Sequence, residues 1–133
     1  MVDFNLKAGM TGEATDEVNE NNTALKYGSG IIKVYATPAM IGLMENAAIN
    51  TVDRHLPEGY ASVGTRLDVK HTAATPIGMN ITAKAELIEE DGPKLKFTVK
   101  AYDDAGMIGE GVHNRYIVKL DEFLKKTEEK LFS

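Results

Sequence analysis

The chain has 133 residues, 43% of them hydrophobic, and carries a net charge of −5. These values are typical of a water-soluble globular protein, and we expect one domain over residues 1–133 that is large enough to bury a core. The acidic charge argues against a nucleic-acid partner, because phosphate binding depends on clustered Lys and Arg. The sequence has no cysteine, which excludes disulfides and thiolate chemistry.

The N-terminal residues lack the basic and apolar regions of a signal peptide, and no apolar run is long enough to span a bilayer. We therefore expect a cytoplasmic protein with no membrane partner. Residues 1–11 are predicted to be a loose lead-in. Glu13–Val18 is predicted as a first strand and Ala24–Tyr27 as a short helical turn, which Asn21-Asn22-Thr23 caps and Gly28-Ser29-Gly30 ends.

The longest predicted helix runs from Thr37 to His55. Thr37 is predicted as its N-cap, and Pro38 suits the first turn because its missing N–H costs nothing there. One carboxylate, Glu45, stands among apolar residues, where a charge is costly unless it is paired or functional. The apolar positions cover most of the circumference, so we expect other elements to wrap this helix: Met40, Ile41, Leu43, Met44, Ala47, Ala48, Ile49 and Val52.

After this helix the hydrophobic period changes to two, which predicts β-strands joined by short turns. Four consecutive strands in a meander form an antiparallel sheet, and a short amphipathic helix over 121–132, capped by Asp121, is expected to follow. Such a sheet around one long helix is an α+β hot-dog arrangement. The predicted strands are 62–73, Asn80–Glu89, Lys94–Tyr102 and Met107–Leu120, the last with Gly109 and Gly111 marking a bulge or a close approach.

His71 is the informative residue of the predicted sheet. By alternation it shares a face with Val63, Leu67 and Val69, so its imidazole and the Glu45 carboxylate are expected to point into the same interior. One interpretation is a catalytic acid–base pair. The other is a buried structural pair, or a histidine satisfied by a backbone carbonyl, since structural pairs also perturb pKa values.

Thr37 also has two interpretations. It is either only a helix cap, or its hydroxyl and the free N–H groups of the helix start bind a substrate oxygen that develops negative charge. Eight residues separate Thr37 from Glu45, a rise of about 12 Å. A substrate, a water, His71 or a second subunit must therefore lie between them. His55 and His113 show no metal-ligand spacing, and no metal site is predicted.

Several segments resemble the hot-dog thioesterases of the fluoroacetyl-CoA thioesterase type. The similarity covers roughly Tyr35 to Tyr116, and the His-Thr-Ala-Ala-Thr-Pro run at its distance from the Thr-Pro helix start is its most specific part. The segments that carry it are Val34–Ile41, Glu45, Val63-Gly64-Thr65, His71–Met79 and Ile108–Arg115.

The resemblance implies a catalytic triad of Thr37, Glu45 and His71, with Gly64 and Arg115 in substrate binding. It implies a homodimer or higher homo-oligomer with active sites near the subunit interface. It implies no separate cofactor, because CoA enters as part of the substrate.

The resemblance leads to the hypothesis of an acyl-CoA thioesterase. Fluoroacetate-specific members carry phenylalanines before the central helix, whereas Thr23–Ile32 has Tyr27 as its only aromatic residue. A different short- or medium-chain acyl group is therefore expected. Glu45 attacks the carbonyl or activates water, and both mechanisms stay open. The alternatives are a non-catalytic acyl-CoA or small-acid binding module and an enoyl-CoA hydratase, although the hydratase motif is absent.

Overall fold

The computed structural model describes residues 3–133. The chain forms five strands and three α-helices, and short 3₁₀ turns follow the second and third helices. In chain order they are β1 (Thr11–Glu17), α1 (Ala24–Tyr27), α2 (Thr37–Val52) with its 3₁₀ turn Asp53–His55, β2 (Tyr60–His71), β3 (Asn80–Asp91), β4 (Lys94–Asp103), β5 (Gly106–Lys119), and α3 (Leu120–Glu128) with its 3₁₀ turn Glu129–Phe132.

The five strands form one antiparallel sheet in the order β1-β3-β4-β5-β2. The predicted simple meander is correct for β3, β4 and β5, whose tight turns use Gly92 and Gly106 at positive φ. It is wrong for β2, which crosses to the far edge and pairs with β5. A period-two pattern identifies strands and their faces, but only a tight turn determines which strands are neighbours.

Helix α2 lies across the inner face of the sheet, as the hot-dog arrangement predicts. Its buried side chains meet those of β3 and β4, and each large one contributes about 1.5–3 kcal/mol to stability. The helix is not wrapped on every side, because Ile49 is 38% exposed and Gly42 and Asn46 also face outward. The main buried contacts come from Met40, Leu43, Met44, Ala47, Ala48 and Val52 of α2 and from Ile81, Leu87, Leu95, Phe97 and Val99 of the sheet.

The predicted lead-in is attached to the sheet more firmly than expected. Leu6 is buried in the core, and the N–H of Gly9 donates to the carbonyl of Leu87 at 2.8 Å. The N–H of Leu87 in turn donates to the carbonyl of Met10 at 2.9 Å. Residues 6–10 therefore extend the edge contact of β1 instead of lying loose, and residues 1 and 2 are outside the described part of the chain.

Strand β2 contains a bulge at Thr65, where the register with β5 shifts by one residue. Alternation restarts after the bulge, because Thr65 is an extra residue. Ser62 and Gly64 before the bulge and Leu67 and His71 after it therefore all face α2. The prediction that Val63 shares the face of His71 is therefore wrong, because simple alternation assumes an unbroken strand.

Helix α3 begins one residue earlier than predicted, at Leu120. Lys119 occupies the N-cap position and Asp121 lies in the first turn, where a carboxylate is favoured by the helix dipole. Within residues 3–133, neither α3 nor another helix has the length and apolar character needed to cross a membrane.

Candidate active site

The start of α2 differs from the predicted cap in an informative way. Ala36 has extended backbone angles and is the N-cap, so Thr37 is already helical and Pro38 is the second helical residue. The Thr37 hydroxyl is therefore free of a capping role. It forms a 2.7 Å hydrogen bond with Nδ1 of His71 instead, which joins the start of α2 to the end of β2. We call these two residues the threonine–histidine pair.

The His71 imidazole is half-buried at the end of β2. Its other ring nitrogen, Nε2, is buried and has no hydrogen-bond partner within residues 3–133. Desolvation by burial lowers the pKa of His71 below its ordinary value. The ring is thus neutral at neutral pH, and an unpaired buried nitrogen of this kind is a functional candidate because leaving it unsatisfied costs about 1–3 kcal/mol.

A cavity of about 330 Å³ opens beside the threonine–histidine pair. Both members of the pair line it, together with the segment before α2 and the residues after β2. Most of the other lining residues are small or aliphatic, namely Ala24, Gly30, Ile32, Val34, Ala73 and Ala74, and the rest are Ser29, Tyr35 and Thr72. The site thus combines an exposed hydroxyl, a neutral imidazole and an apolar wall that fits a short acyl chain.

Glu45 lies in a second group of polar residues, against the middle of β2 and β5. Its Oε2 is 3.5 Å from Nη1 of Arg115, and its side chain is 36% exposed, so it is less buried than predicted. Gly64 is opposite the same carboxylate, and a Cβ at that position would overlap Glu45 Oε2. The glycine therefore makes room for the carboxylate.

Within one chain the structure does not bring Glu45 to His71. Gly64, which touches Glu45, and His71 are seven residues apart on β2, about 20 Å along an extended strand. Eight helical residues separate Thr37 from Glu45, and Glu45 is not among the residues that line the cavity. The five predicted site residues thus divide into the threonine–histidine pair and a group formed by Glu45, Gly64 and Arg115.

Three further residues hold Arg115, and the prediction did not include them. Its Nε and Nη2 donate to the hydroxyl and the carbonyl of Ser62, each at 2.7 Å, and Nη1 lies 3.2 Å from Nε2 of His113. Asp53 in turn accepts hydrogen bonds from the Ser62 hydroxyl and backbone N–H. We call these residues the arginine cluster: Glu45, Asp53, Ser62, His113 and Arg115.

Two signals in the sequence point to part of the arginine cluster. His113 and Arg115 are two residues apart on a strand and therefore share a face. Asp53 lies eight residues after Glu45 on one helix, roughly on the same side. No such signal marks Ser62. Unbroken alternation puts it on the face opposite to His71, whereas the bulge at Thr65 brings both residues to the same face. Among residues 3–133, no group of three His, Cys, Asp or Glu side chains is arranged to hold a metal ion.

A family model described as "fluoroacetyl-CoA-specific thioesterase" matches residues 18–121. The fluoroacetyl-CoA thioesterase of Streptantibioticus cattleyicolor is 41% identical over 98 residues, which cover 74% of this chain and 70% of that protein. The chain belongs to the fluoroacetyl-CoA-specific thioesterase family. The segment matched by this thioesterase family includes the threonine–histidine pair and the whole arginine cluster.

Solved structures agree with the family assignment. The fluoroacetyl-CoA thioesterase FlK superposes with a TM-score of 0.88 at 34% identity, over 94% of this chain and 97% of that one. A hot-dog-like protein from Thermanaerovibrio acidaminovorans superposes with a TM-score of 0.87 at 26% identity, over 97% of each chain. The predicted fold and thioesterase family are therefore confirmed.

Proposed function

We propose that this chain is an acyl-CoA thioesterase of the cytoplasm that hydrolyses a short- or medium-chain acyl-CoA without a separate cofactor. The observation that carries the proposal is the 2.7 Å hydrogen bond between Thr37 and His71 beside an apolar cavity, with the second nitrogen of His71 left unpaired among the described residues. Membership of the thioesterase family supplies the reaction class.

The reaction adds the oxygen of water to the thioester carbonyl and breaks the carbon–sulfur bond, which yields the free acid and the CoA thiol. The Thr37 hydroxyl and the free N–H groups of the first turn of α2 stabilise the carbonyl oxygen as it becomes negative. Neutral His71 takes the proton that is released and returns it to the departing sulfur. Glu45 either activates the water or attacks the carbonyl first.

Glu45 and His71 of the same chain are too far apart to act on one substrate, so the proposed reaction needs a second subunit. Strand β2 is an edge strand whose outer side can pair with another copy of itself. In such a pairing, a two-fold axis near Leu67, midway between Gly64 and His71, would bring Glu45 of one copy toward His71 of the other. We therefore propose a homodimer, or a larger oligomer built from it, in which each reaction centre takes its carboxylate from the neighbouring chain.

The cavity supports a neutral aliphatic acyl group. None of its described lining residues carries a charge at neutral pH, and Ile32, Val34 and Ala74 supply apolar walls. Tyr27 does not line this cavity and is 51% exposed, so it does not act as an aromatic cover. Tyr35 does line the cavity, but it is only 1% exposed and its hydroxyl donates to Asp16, so it is part of the wall and not a cover. Selectivity for the small polar fluoroacetyl group therefore lacks an exposed aromatic cover here.

The test of the reaction is thiol release from a panel of acetyl-, fluoroacetyl-, propionyl-, butyryl- and hexanoyl-CoA. We expect the highest kcat/KM with an unsubstituted acyl group, and large losses of turnover in Glu45→Gln and His71→Ala. Bound acyl-CoA without thiol release would instead support the binding module. Loss of enoyl-CoA absorbance without free thiol would support the hydratase.

The shared site has a separate test, because Glu45→Gln and His71→Ala damage different chains. When the two inactive variants are co-expressed, half of the dimers are mixed and each mixed dimer keeps one intact centre. We expect recovery of about a quarter of the wild-type activity. If each centre lies within one chain, mixing restores nothing, and sedimentation showing only monomers leads to the same conclusion.

A further inference from the structure

The Arg115 guanidinium is buried and fixed from several directions. The residue is only 4% exposed, and its N–H groups contact Ser62 twice, His113 once and Glu45 once. A planar guanidinium with this many directed contacts has one orientation. The Glu45 carboxylate is the only member of these contacts that also reaches solvent to a substantial extent, since its side chain is 36% exposed.

Ser62 and Asp53 anchor the far side of the guanidinium. The Ser62 hydroxyl donates to Asp53 and accepts from Nε of Arg115, while the Ser62 N–H donates to the second Asp53 oxygen at 3.1 Å. Asp53 and Glu45 both belong to the α2 segment. The contacts therefore form a closed circuit from the end of α2 through β2 and β5 back to the middle of α2.

His113 has a single possible tautomer in this circuit. Its Nδ1 lies 2.8 Å from the carbonyl of Arg66, which can only accept, so Nδ1 carries the proton. Its Nε2 faces Arg115, which can only donate, so Nε2 is an acceptor. Both nitrogens are thus occupied, and His113 serves to hold the guanidinium and is not available as a base.

We infer that Arg115 is a positioning residue that orients the Glu45 carboxylate, and that Ser62 and Asp53 set its position. The inference rests on the proposed function, in which Glu45 takes part in thioester hydrolysis. This positioning role is additional to the substrate-binding role that the resemblance implies for Arg115. The guanidinium is only 4% exposed and hydrogen-bonded to Ser62 and His113, and its Nη1 lies 3.5 Å from Glu45, so it acts on the reaction through that carboxylate.

The first test removes the Ser62 hydroxyl, which accepts from Arg115, while Glu45 and Arg115 themselves are not substituted. In Ser62→Ala we expect kcat to fall about tenfold or more with KM within about twofold, because a displaced catalytic group lowers turnover. Thr51→Val is the matched control, since it removes another buried hydroxyl of the α2 region, which donates to the carbonyl of Ala47. Thermal unfolding of both variants shows that the comparison is between folded proteins.

A double-mutant comparison shows whether Ser62 acts through Glu45. In the Glu45→Gln background, Ser62→Ala should change the residual kcat by no more than about twofold. A further tenfold loss there overturns the inference. If Glu45→Gln alone leaves kcat unchanged, the proposed role of Glu45 fails instead, so the two failures are distinguishable.

Asp53→Asn provides a second variant if Ser62→Ala does not fold. It keeps the shape of the side chain but replaces one acceptor oxygen with a donor, so it loosens the same anchor. We expect the same fall in kcat.

The choice of thioester separates positioning from CoA binding. The kcat loss in Asp53→Asn and Ser62→Ala should be equal for acetyl-CoA and for acetyl-N-acetylcysteamine, which lacks the nucleotide. A rise in KM confined to acetyl-CoA would show that Arg115 binds the CoA phosphates.

Discussion

The two polar groups along α2 differ in how completely their atoms are paired. At the start of the helix, Thr37 and His71 form one hydrogen bond beside an open cavity, and a ring nitrogen of His71 has no partner among the described residues. Further along, buried Arg115 donates to Ser62 and His113, and its Nη1 lies 3.5 Å from Oε2 of Glu45.

The difference indicates that the two groups along α2 have different roles. The exposed Thr37 hydroxyl beside the cavity is available to a substrate, whereas a paired and buried cluster fixes geometry and rigidity. Glu45 is the residue that connects the two kinds of environment, because it touches the buried guanidinium and is partly exposed.

The largest effect is expected from His71→Ala. Loss of a positioned general acid–base group lowers kcat by about 10²- to 10⁴-fold, while the half-buried site leaves the unfolding temperature little changed. Steady-state hydrolysis of acyl-CoA measures the loss. His55→Ala, an exposed histidine at the other end of α2, serves as the control and should keep wild-type kcat. Comparable activity in the two variants would remove His71 from the mechanism.

Gly64→Ala tests the placement of Glu45 from the opposite side. The added Cβ overlaps Glu45 Oε2 and lies 3.3 Å from the His113 ring, so the carboxylate must shift. We expect kcat to fall about ten- to a hundredfold, as for other misplaced catalytic groups. Wild-type kcat in this variant would contradict a need for a fixed carboxylate.

His113 predicts how stability depends on pH. Burial lowers the pKa of His113, and Arg115 opposes protonation, whereas the Arg66 carbonyl and Glu45 favour it. The unfolded histidine takes up a proton near its ordinary value of 6.5, and the folded one only at lower pH. Stability is therefore complete above about pH 6.5 and falls as the pH decreases toward the folded pKa.

The measurement is the thermal unfolding temperature between pH 8 and pH 5 on a roughly one-unit grid. His113→Gln should lose less stability on acidification than the wild type, although it starts from a lower value at pH 8. His71 has a lowered pKa as well and contributes a loss of the same sign, so His71→Ala is measured alongside. An identical pH dependence in His113→Gln would show that His113 is not a source of acid sensitivity.

The smallest effect is expected on the exposed side of α2. A Cβ at Gly42 meets no atom of the described chain within 4 Å. Gly42→Ala should therefore raise the free energy of unfolding by about 0.8–1 kcal/mol, because alanine favours the helix over glycine. Denaturant titration at a fixed protein concentration measures the change. A loss of stability would indicate that another chain packs closely on this face.

Most of the fold follows from patterns in the sequence. The strands β3, β4 and β5 and the long helix α2 were predicted nearly to the residue, because strict alternation and a Pro-started apolar helix are strong local signals. The position of β2 beside β5 was not predicted, since no tight turn links β2 to a neighbour. Thr37 and His71 are 34 residues apart, so local patterns identify each residue as a candidate but do not predict the contact between them.

The arginine cluster is the part of the site that could not be predicted from the sequence. Ser62 is an ordinary serine in a strand, and its importance arises from meeting Asp53 and Arg115 across three different elements. Unbroken alternation from His71 puts Ser62 on the outer side of β2, and no residue type indicates the bulge at Thr65 that turns it inward. Catalytic residue types were thus recognisable in the sequence, whereas the residues that hold them were not.

The bulge at Thr65 is the point where β2 best tolerates a change in length. Gly64 pairs with Arg115 and Arg66 with Asn114, so Thr65 has no partner of its own on β5. Its deletion would leave both halves of β2 in their present register, with Ser62 and His71 still facing α2. A deletion elsewhere in β2 would turn the residues between the deleted position and Thr65 to the other face. A deletion scan along β2 should therefore find Thr65 the least costly residue to remove.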